Sequence, residues 1–293
     1  MSPRLRTALF VPGDRPDRIA KAVGYPTDVV VVDLEDAVAD GMKEQARDVA
    51  RRATATLEHP SVRLMVRVNP VDSPWFADDV AALEPLLNQL SAVVLPKATA
   101  DDVRRLEVLL TRLESATLAT RGTGILPIVE TAAGVLDAAG IAVGSERVET
   151  LVFGVADLSA ELRIEASAEG DELLHARSHM VLACAAAGRT PPVDGPYLRL
   201  DDPDGLETSV AHARRLGFGG KAVIHPRQLD AVTAAFSPNR TEVAWARAVD
   251  AAYSAAEQTG RGAVRLDDGT FVDQPVARRA RAILAEAAAQ EAT

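Results

Sequence analysis

The stretch TDVVVVDLEDAVAD, at residues 27–40, decides the fold of this chain. Its four consecutive valines, residues 29–32, are β-branched on both faces, a pattern typical of a parallel strand that is buried on both sides. Three carboxylates, Asp33, Glu35 and Asp36, follow where the strand leaves the core. Ligands of α/β proteins bind at the carboxyl ends of such strands, so this cluster indicates a functional site. The alternative is that these acids accept hydrogen bonds at the start of the next helix.

Composition limits the class of protein. The 293 residues are 47% hydrophobic and 25% charged, enough for one (β/α)8 barrel with an extension or for two smaller domains. A net charge of −10 argues against nucleic acid or an anionic membrane as partner. No apolar run approaches the roughly 18 residues of a membrane span, and no signal peptide is recognised at the start. We therefore expect a cytoplasmic location.

Strand and helix patterns alternate along the chain. Eight strand candidates recur at intervals of roughly 25 to 35 residues, the period of βα units. They are residues 7–12, 29–32, 62–69, 92–98, 125–130, 149–154, 191–196 and 220–226. The pattern predicts an α/β fold, a (β/α)8 TIM barrel over residues 1–237. Residues 238–293 form a predicted C-terminal helical extension that packs on the barrel or on a neighbouring subunit.

Polar side chains fall at or just after the carboxyl ends of these strands. They are Arg15, Asp33, Glu35, Asp36, Arg67, Lys97, Glu130, Asp157, Asp194 and His225. A closed barrel brings the carboxyl ends of its strands to a single rim. We therefore expect these groups to converge there.

Glu130 and Asp157 end consecutive strands, which are neighbours in a barrel. Two carboxylates with positions left open for water and substrate oxygens are what a protein usually offers Mg²⁺, so this pair is a candidate metal site. The spacing equally allows each residue to cap the helix that follows it.

Three further residues allow more than one interpretation. Arg67 suits binding of a carboxylate or an enolate, and it also suits neutralisation of the acids after the valine strand. Lys97 could form a Schiff base with a carbonyl substrate, although a charge partner for the acidic rim is favoured. His225 could be a ligand, a base or a hydrogen-bonded residue of the wall.

A series of motifs resembles one known family. In chain order the motifs are VPGDRPDR, DLEDAV, RVNP, LPKA, VETAAGV, FGVADL, ARSHMVLACAAAG and GKAVIHPRQL. They are similar to citrate lyase β-subunits and malyl-CoA lyases, which are HpcH/HpaI-type aldolases, and the resemblance covers residues 4 to about 280. It implies a (β/α)8 barrel, Mg²⁺ with Mn²⁺ as the alternative cation, a thioester substrate and a homotrimer or homohexamer.

The resemblance also implies roles for particular residues. It makes Glu130 and Asp157 the metal ligands and Arg67 the substrate-binding arginine. Glu35 and Asp36 would hold water on the metal or orient Arg67. Contacts to the CoA portion fall to Arg15, Lys21 and Lys97. Asp273, in the segment VDQPV, would serve the neighbouring subunit's site as an acid or base. Ala133 stands where the family commonly has arginine, which leaves the exact substrate open.

The implied function is that of a carbon–carbon lyase. It would cleave a malyl-, citramalyl- or citryl-type CoA thioester reversibly to an acyl-CoA and a 2-oxo acid. Two alternatives stay open. One is a metal-dependent pyruvate-type aldolase acting on free acids, and the other is a β-subunit of a citrate lyase complex that acts on a carrier-protein thioester.

Overall fold

The structure is a computed structural model that describes residues 5–57, 62–165 and 167–291. The chain forms two compact units, the first ending at Thr233 and the second beginning at Ala234. The predicted division into a barrel domain of residues 1–237 and an extension of residues 238–293 stays a prediction. Within the described ranges, no helix combines the length and the apolar character that crossing a membrane requires.

The first unit is built around a closed barrel of eight parallel strands whose spatial order follows the chain. The strands are β1 Thr7–Pro12, β2 Val29–Asp33, β3 Arg63–Arg67, β4 Leu90–Leu95, β5 Gly124–Val129, β6 Val152–Phe153, β7 Val193–Asp194 and β8 Gly220–Val223. β8 pairs with β1 and closes the barrel. The predicted TIM barrel is confirmed.

Helices follow the strands around the barrel. They are α1 Pro16–Ala22, α2 Lys43–Ala55, α3 Phe76–Ala82, α4 Ala100–Thr117, α5 Ala132–Leu136, α6 Ala138–Ala142, α7 Val155–Leu162, α8 Leu174–Ala186, α9 Pro203–Leu216 and α10 Leu229–Ala235. A short 3-10 turn, Glu84–Leu86, separates α3 from β4, which begins at Leu90. Helix α7 begins at Val155, so it contains Asp157 instead of following it.

The barrel interior is apolar below a charged rim. Its core consists of Ala8, Val29, Val31, Met65, Ala92, Val94, Leu126, Ile128, Val152 and Val193. Side chains alternate between the two faces of a strand, so the residues two positions after Val31 and Met65 also face inward. These residues are Asp33 and Arg67, which are direct partners across β2 and β3. Alternation thus places an acid and a base side by side at the rim.

Asp194 does not join that rim, so the expectation for this residue is wrong. Val193 belongs to the interior core, and the next side chain on the same strand points outward. There Asp194 accepts hydrogen bonds from Arg177 Nε at 3.0 Å and from Lys221 Nζ at 2.5 Å. All three side chains are buried, and the guanidinium of Arg177 also lies over the ring of Phe153. This buried charge cluster joins α8 to β7 and β8.

The second unit has its own small core. Two helices, α11 Arg240–Gln258 and α12 Gln274–Glu291, flank a hairpin of β9 Ala263–Arg265 and β10 Phe271–Asp273. Its buried side chains come from α11, β10 and α12, and they include Val249, Tyr253, Val272 and Ala280. Asp273 ends β10, and its Oδ1 accepts the N–H of Val276 in the first turn of α12.

Replacing Asp194→Asn should destabilise the protein. The substitution keeps the side-chain shape but leaves the buried cations Lys221 and Arg177 without a counter-charge. Breaking a buried ion pair in this way costs about 3–5 kcal/mol, measured here as the free energy of unfolding in urea. Asp101→Asn is the control, because the Asp101–Arg104 pair lies at the surface. Equal losses in the two variants would contradict the role given to the cluster.

Candidate active site

A buried arginine connects the tips of β2 and β3. Arg67 donates from Nε to Asp33 Oδ1 and from Nη2 to Asp33 Oδ2, each at 2.6 Å. Two parallel bonds between a guanidinium and a carboxylate fix both position and orientation. Asp33 is 2% exposed and Arg67 is 9% exposed, so little water competes for the pair. Asp33 was predicted to lie in the acidic cluster at the rim, without a role of its own.

The remaining nitrogen of Arg67 faces two more acids. Nη1 lies 2.7 Å from Glu35 Oε2 and 3.3 Å from Asp36 Oδ2. Burial acts to lower the pKa of Arg67, but Asp33, Glu35 and Asp36 outweigh it and raise the pKa further. The guanidinium also lies over the ring of Phe10, 5.4 Å from the centroid. Arg67 therefore neutralises the acidic cluster, which was one of its two predicted roles.

Contacts to the backbone hold the acidic loop after β2. Lys43 donates from Nζ to the carbonyl oxygens of Leu34 and Glu35 at 3.0 and 2.8 Å. Asn69, just beyond β3, also donates to Leu34 O and bonds the fully buried Asp79. The loop therefore presents its acids from a fixed backbone. Asn69 belongs to the motif RVNP and Lys43 follows the motif DLEDAV, but the inward contacts of the two side chains could not be read from spacing alone.

The alternative for the acidic cluster, a helix cap, applies only in part. Asp33 Oδ1 and Oδ2 accept the N–H groups of Glu35 and Ala37 at 2.9 and 3.2 Å. These bonds stabilise the turn after β2, whereas the next α-helix begins at Lys43. Asp33 therefore stabilises a loop and binds Arg67 at the same time.

Lys97 connects three of the acids. Its backbone has a φ of +49°, in the left-handed region that non-glycine residues rarely adopt. In this conformation its N–H donates to Glu130 Oε1 at 2.7 Å. Its Nζ lies 2.7 Å from Glu35 Oε1 and 3.3 Å from Asp157 Oδ1.

These contacts bear on the Schiff-base interpretation of Lys97. Burial acts to lower the pKa of the ammonium, but Glu35, Glu130 and Asp157 outweigh it and raise the pKa. A protonated amine is not a nucleophile. The arrangement favours the charge-partner interpretation of Lys97.

Glu130 and Asp157 both line a cavity of about 390 Å³ at the rim. Glu130 is 3% exposed, and burial, together with the charges of Asp157 and Glu35, raises its pKa to about 8. Neither residue is the N-cap of the helix that follows it. Thr131 caps α5, and Asp157 lies inside the first turn of α7, whose N-cap is Gly154. The helix-cap alternative is therefore wrong for both.

Gly154 makes the space that Glu130 occupies. A Cβ at this position would lie 2.2 Å from Glu130 Cβ and 2.5 Å from Glu130 Oε2. Only glycine therefore lets the glutamate reach the cavity in this orientation. Burial and neighbouring carboxylates raise the pKa of Glu130, and a hard divalent cation such as Mg²⁺ would offset this repulsion by binding the two carboxylates.

The carboxylate count agrees with that cation. Among the described residues, no cluster of three or more His, Cys, Asp and Glu side chains is arranged to hold a metal ion. Mg²⁺ commonly takes one or two carboxylates from the protein and completes its shell with water and substrate oxygens. Glu130 and Asp157 fit this mode.

None of the predicted CoA contacts, Arg15, Lys21 and Lys97, is among the residues that line the cavity. Arg15 is exposed and pairs with Asp17 at 3.4 Å, and Lys21 is exposed on α1. Neither belongs to the residues that line the cavity, whereas Arg18 of the same helix does. Arg18 belongs to the motif VPGDRPDR but was not among the residues predicted to contact CoA.

His225 is not among the residues that line the cavity. Nδ1 of His225 accepts the N–H of Arg227 at 3.1 Å and so caps a short turn, the hydrogen-bonded alternative. Asp273 belongs to the second unit, and its predicted role stays a prediction. Ala133 is exposed on α5 and does not line the cavity.

Several known proteins are similar to most of this chain. Residues 6–226 match the family model described as HpcH/HpaI aldolase/citrate lyase. The citrate lyase subunit beta of Escherichia coli strain K12 is 38% identical over 96% of this chain and 93% of its own length. The L-malyl-CoA/beta-methylmalyl-CoA lyase of Cereibacter sphaeroides ATCC 17025 is 34% identical over 96% and 94%.

A solved structure is similar as well. CitE from Mycobacterium tuberculosis, crystallised with magnesium, acetoacetate and coenzyme A, is 35% identical and superposes with a TM-score of 0.78. The match covers 97% of this chain and 98% of that one.

Substituting Gly154→Ala should weaken Mg²⁺ binding. The added methyl group would displace Glu130 from the cavity, because it would overlap the glutamate side chain. We expect at least about a tenfold loss of Mg²⁺ affinity by calorimetry, or about 1.4 kcal/mol. Gly41→Ala is the control, since no atom lies within 4 Å of its added Cβ. Unchanged affinity in the Gly154 variant would rule out Glu130 as a ligand held in this geometry.

Proposed function

We propose a function for this chain from the premise that it belongs to the HpcH/HpaI aldolase/citrate lyase family. It is a Mg²⁺-dependent carbon–carbon lyase that cleaves a 3-hydroxy-3-carboxyacyl-CoA reversibly to an acyl-CoA and a 2-oxo acid. The observation that carries this proposal is the pair Glu130 and Asp157, which faces the same cavity as Arg67. The magnesium, coenzyme A and acetoacetate in the crystals of the similar CitE protein support it.

Glu130 and Asp157 hold the metal in this proposal. When bound, Mg²⁺ (or Mn²⁺) would polarise the hydroxyl and carboxylate of the 2-oxo-acid half and stabilise the carbonyl that forms there. The N–H of Lys97 aims Glu130 at the cavity, and the Lys97 ammonium balances charge between Glu35 and Asp157. These protein contacts position the two carboxylates before any ligand arrives.

Arg67 stabilises the negative charge that cleavage creates on the acyl half. As the carbon–carbon bond breaks, its electron pair moves to the thioester α-carbon and forms an enolate. A fixed cation beside the enolate oxygen lowers the energy of this step. Asp33 binds the Nε and Nη2 nitrogens of the guanidinium, while Glu35 and Asp36 orient Nη1.

Proton transfer falls to Asp273 of a neighbouring subunit. It takes the proton from the 3-hydroxyl group as the bond breaks and returns a proton to the enolate carbon. This role requires a homo-oligomer, a trimer or a hexamer, in which the second unit of one subunit reaches the site of another. Arg15, Arg18 and Lys21 supply positive charge near α1 for the phosphates of CoA.

Two alternatives share the same metal pair. The 38% identity to a citrate lyase subunit beta supports a subunit that acts on a carrier-protein thioester within a complex. A pyruvate-type aldolase that acts on free acids would use the same cavity without CoA.

A cytoplasmic location stays a prediction.

Replacing Glu130→Gln should abolish thioester cleavage. The substitution keeps the side-chain size but removes a charged oxygen ligand, so we expect a loss of at least about 100-fold in turnover. Malyl-CoA, citramalyl-CoA and citryl-CoA would be incubated with Mg²⁺ or with EDTA, and the products identified by mass spectrometry. EDTA should stop the wild-type reaction.

Glu146→Gln is the matched control, because this side chain is 96% exposed. Three results would contradict the proposal: cleavage that persists in EDTA, release of the hydroxy acid with free CoA, or no cleavage of any thioester. The last result would favour the free-acid aldolase or the carrier-protein subunit.

A mixing experiment tests Asp273. Alone, Asp273→Asn should lose turnover but keep wild-type Mg²⁺ affinity, since it is not a proposed ligand. Dissociation and reassembly of this variant with Glu130→Gln should restore part of the activity, because hybrid sites combine an intact Glu130 with an intact Asp273 from the neighbour. No restoration in reassembled hybrids would show that Asp273 does not act across subunits.

A further inference from the structure

The rim of the barrel is charged on one side and apolar on the other. Asp33, Arg67 and Glu130 line the cavity from β2, β3 and the end of β5. On the opposite side, β7, β8 and the residues directly after them contribute apolar groups alone to the described lining. These groups are Pro196, Leu198, Ala222 and Ile224.

The charges that do belong to β7 and β8 cannot turn into the cavity. Asp194 and Lys221 face outward and are fixed to each other and to Arg177 in the buried charge cluster. Moving Asp194 inward would break two buried ion pairs, and moving Lys221 inward would break its pair with Asp194, which is unfavourable. The apolar wall is therefore a permanent property of this side of the barrel.

The cations on the charged side are already paired. Arg67 binds Asp33 through two bonds and contacts Glu35 and Asp36. Lys97 is held between Glu35 and Asp157. Arg18 lines the cavity from the α1 side, where it is exposed. Within the described lining, no cation lies on the wall formed by β7 and β8.

From this asymmetry we infer that the 2-oxo-acid half of the substrate carries one carboxylate and a short alkyl group. The inference rests on the proposed function and narrows it. The single carboxylate goes to the metal pair Glu130 and Asp157, and the alkyl group packs against the wall of Leu198, Ala222 and Ile224. A second carboxylate placed against this wall would lose its hydration without gaining a hydrogen bond or an ion pair. Products of the pyruvate class are therefore preferred to dicarboxylic 2-oxo acids.

Two ligands of nearly equal shape test this. 2-Oxobutanoate and oxaloacetate differ by a methyl group in place of a carboxylate. With Mg²⁺ present, calorimetry on the full chain should give 2-oxobutanoate an affinity about 100-fold higher. Oxaloacetate is dissolved immediately before use, and its decarboxylation is followed by NMR. Equal or tighter binding of oxaloacetate would overturn the inference.

A pair of arginine substitutions locates the effect. Ile224→Arg adds a cation to the apolar wall and should raise oxaloacetate affinity about tenfold while lowering that of 2-oxobutanoate. Leu200→Arg is the matched control, because Leu200 is similarly exposed but does not line the cavity. In the Leu200→Arg variant, the ratio of the affinities for 2-oxobutanoate and oxaloacetate should stay at the wild-type value. If both variants change the ratio equally, the wall does not set the preference.

Thioester cleavage separates this inference from the proposed function. Faster cleavage of citramalyl-CoA than of citryl-CoA by wild type supports both. Faster cleavage of citryl-CoA overturns the inference and leaves the lyase assignment in place. If no thioester is cleaved and neither 2-oxo acid binds with Mg²⁺, both the lyase and the inference are overturned.

Discussion

The two parallel hydrogen bonds between Arg67 and Asp33 are the interaction on which the site depends. They join neighbouring strands at their inward-facing tips, where the barrel changes from apolar core to charged rim. Removing both charges from water is costly, and it is tolerated because the geometry is bidentate and further acids surround the guanidinium. The acidic loop and the placement of Glu35 follow from this pair.

The acids at the rim outnumber the cations that serve them. Arg67 and Lys97 contact Asp33, Glu35, Asp36 and Asp157, yet Glu130 keeps a strongly raised pKa. A protein does not concentrate carboxylates in a buried place for stability alone, because they repel one another. The excess is understandable when a divalent cation belongs to the working site. Gly154 contributes to this site because a larger residue there would overlap the Glu130 side chain.

Much of this arrangement could be predicted from the sequence. The valine run and the regular alternation of strands and helices gave the barrel, and strand ends located Arg67, Lys97, Glu130 and Asp157. Asp194 was misplaced because β7 has only two residues, too few for inward and outward positions to be read from a pattern. The paired contacts of Arg67 and Lys97 could not be derived either, since side-chain direction at a loop depends on backbone angles that spacing does not reveal.

With its left-handed backbone, Lys97 binds Glu130 through its main-chain N–H and contacts Glu35 and Asp157 through its side chain. The bond that aims Glu130 comes from a peptide N–H, which every residue type except proline provides. The ammonium group, by contrast, is specific to lysine. The orientation of the metal-side glutamate therefore depends on the left-handed backbone at position 97 and not on the ammonium group. Over evolutionary time, charge balance at the rim can change through residue 97, among the residue types that tolerate a positive φ, while the aim of Glu130 is inherited unchanged.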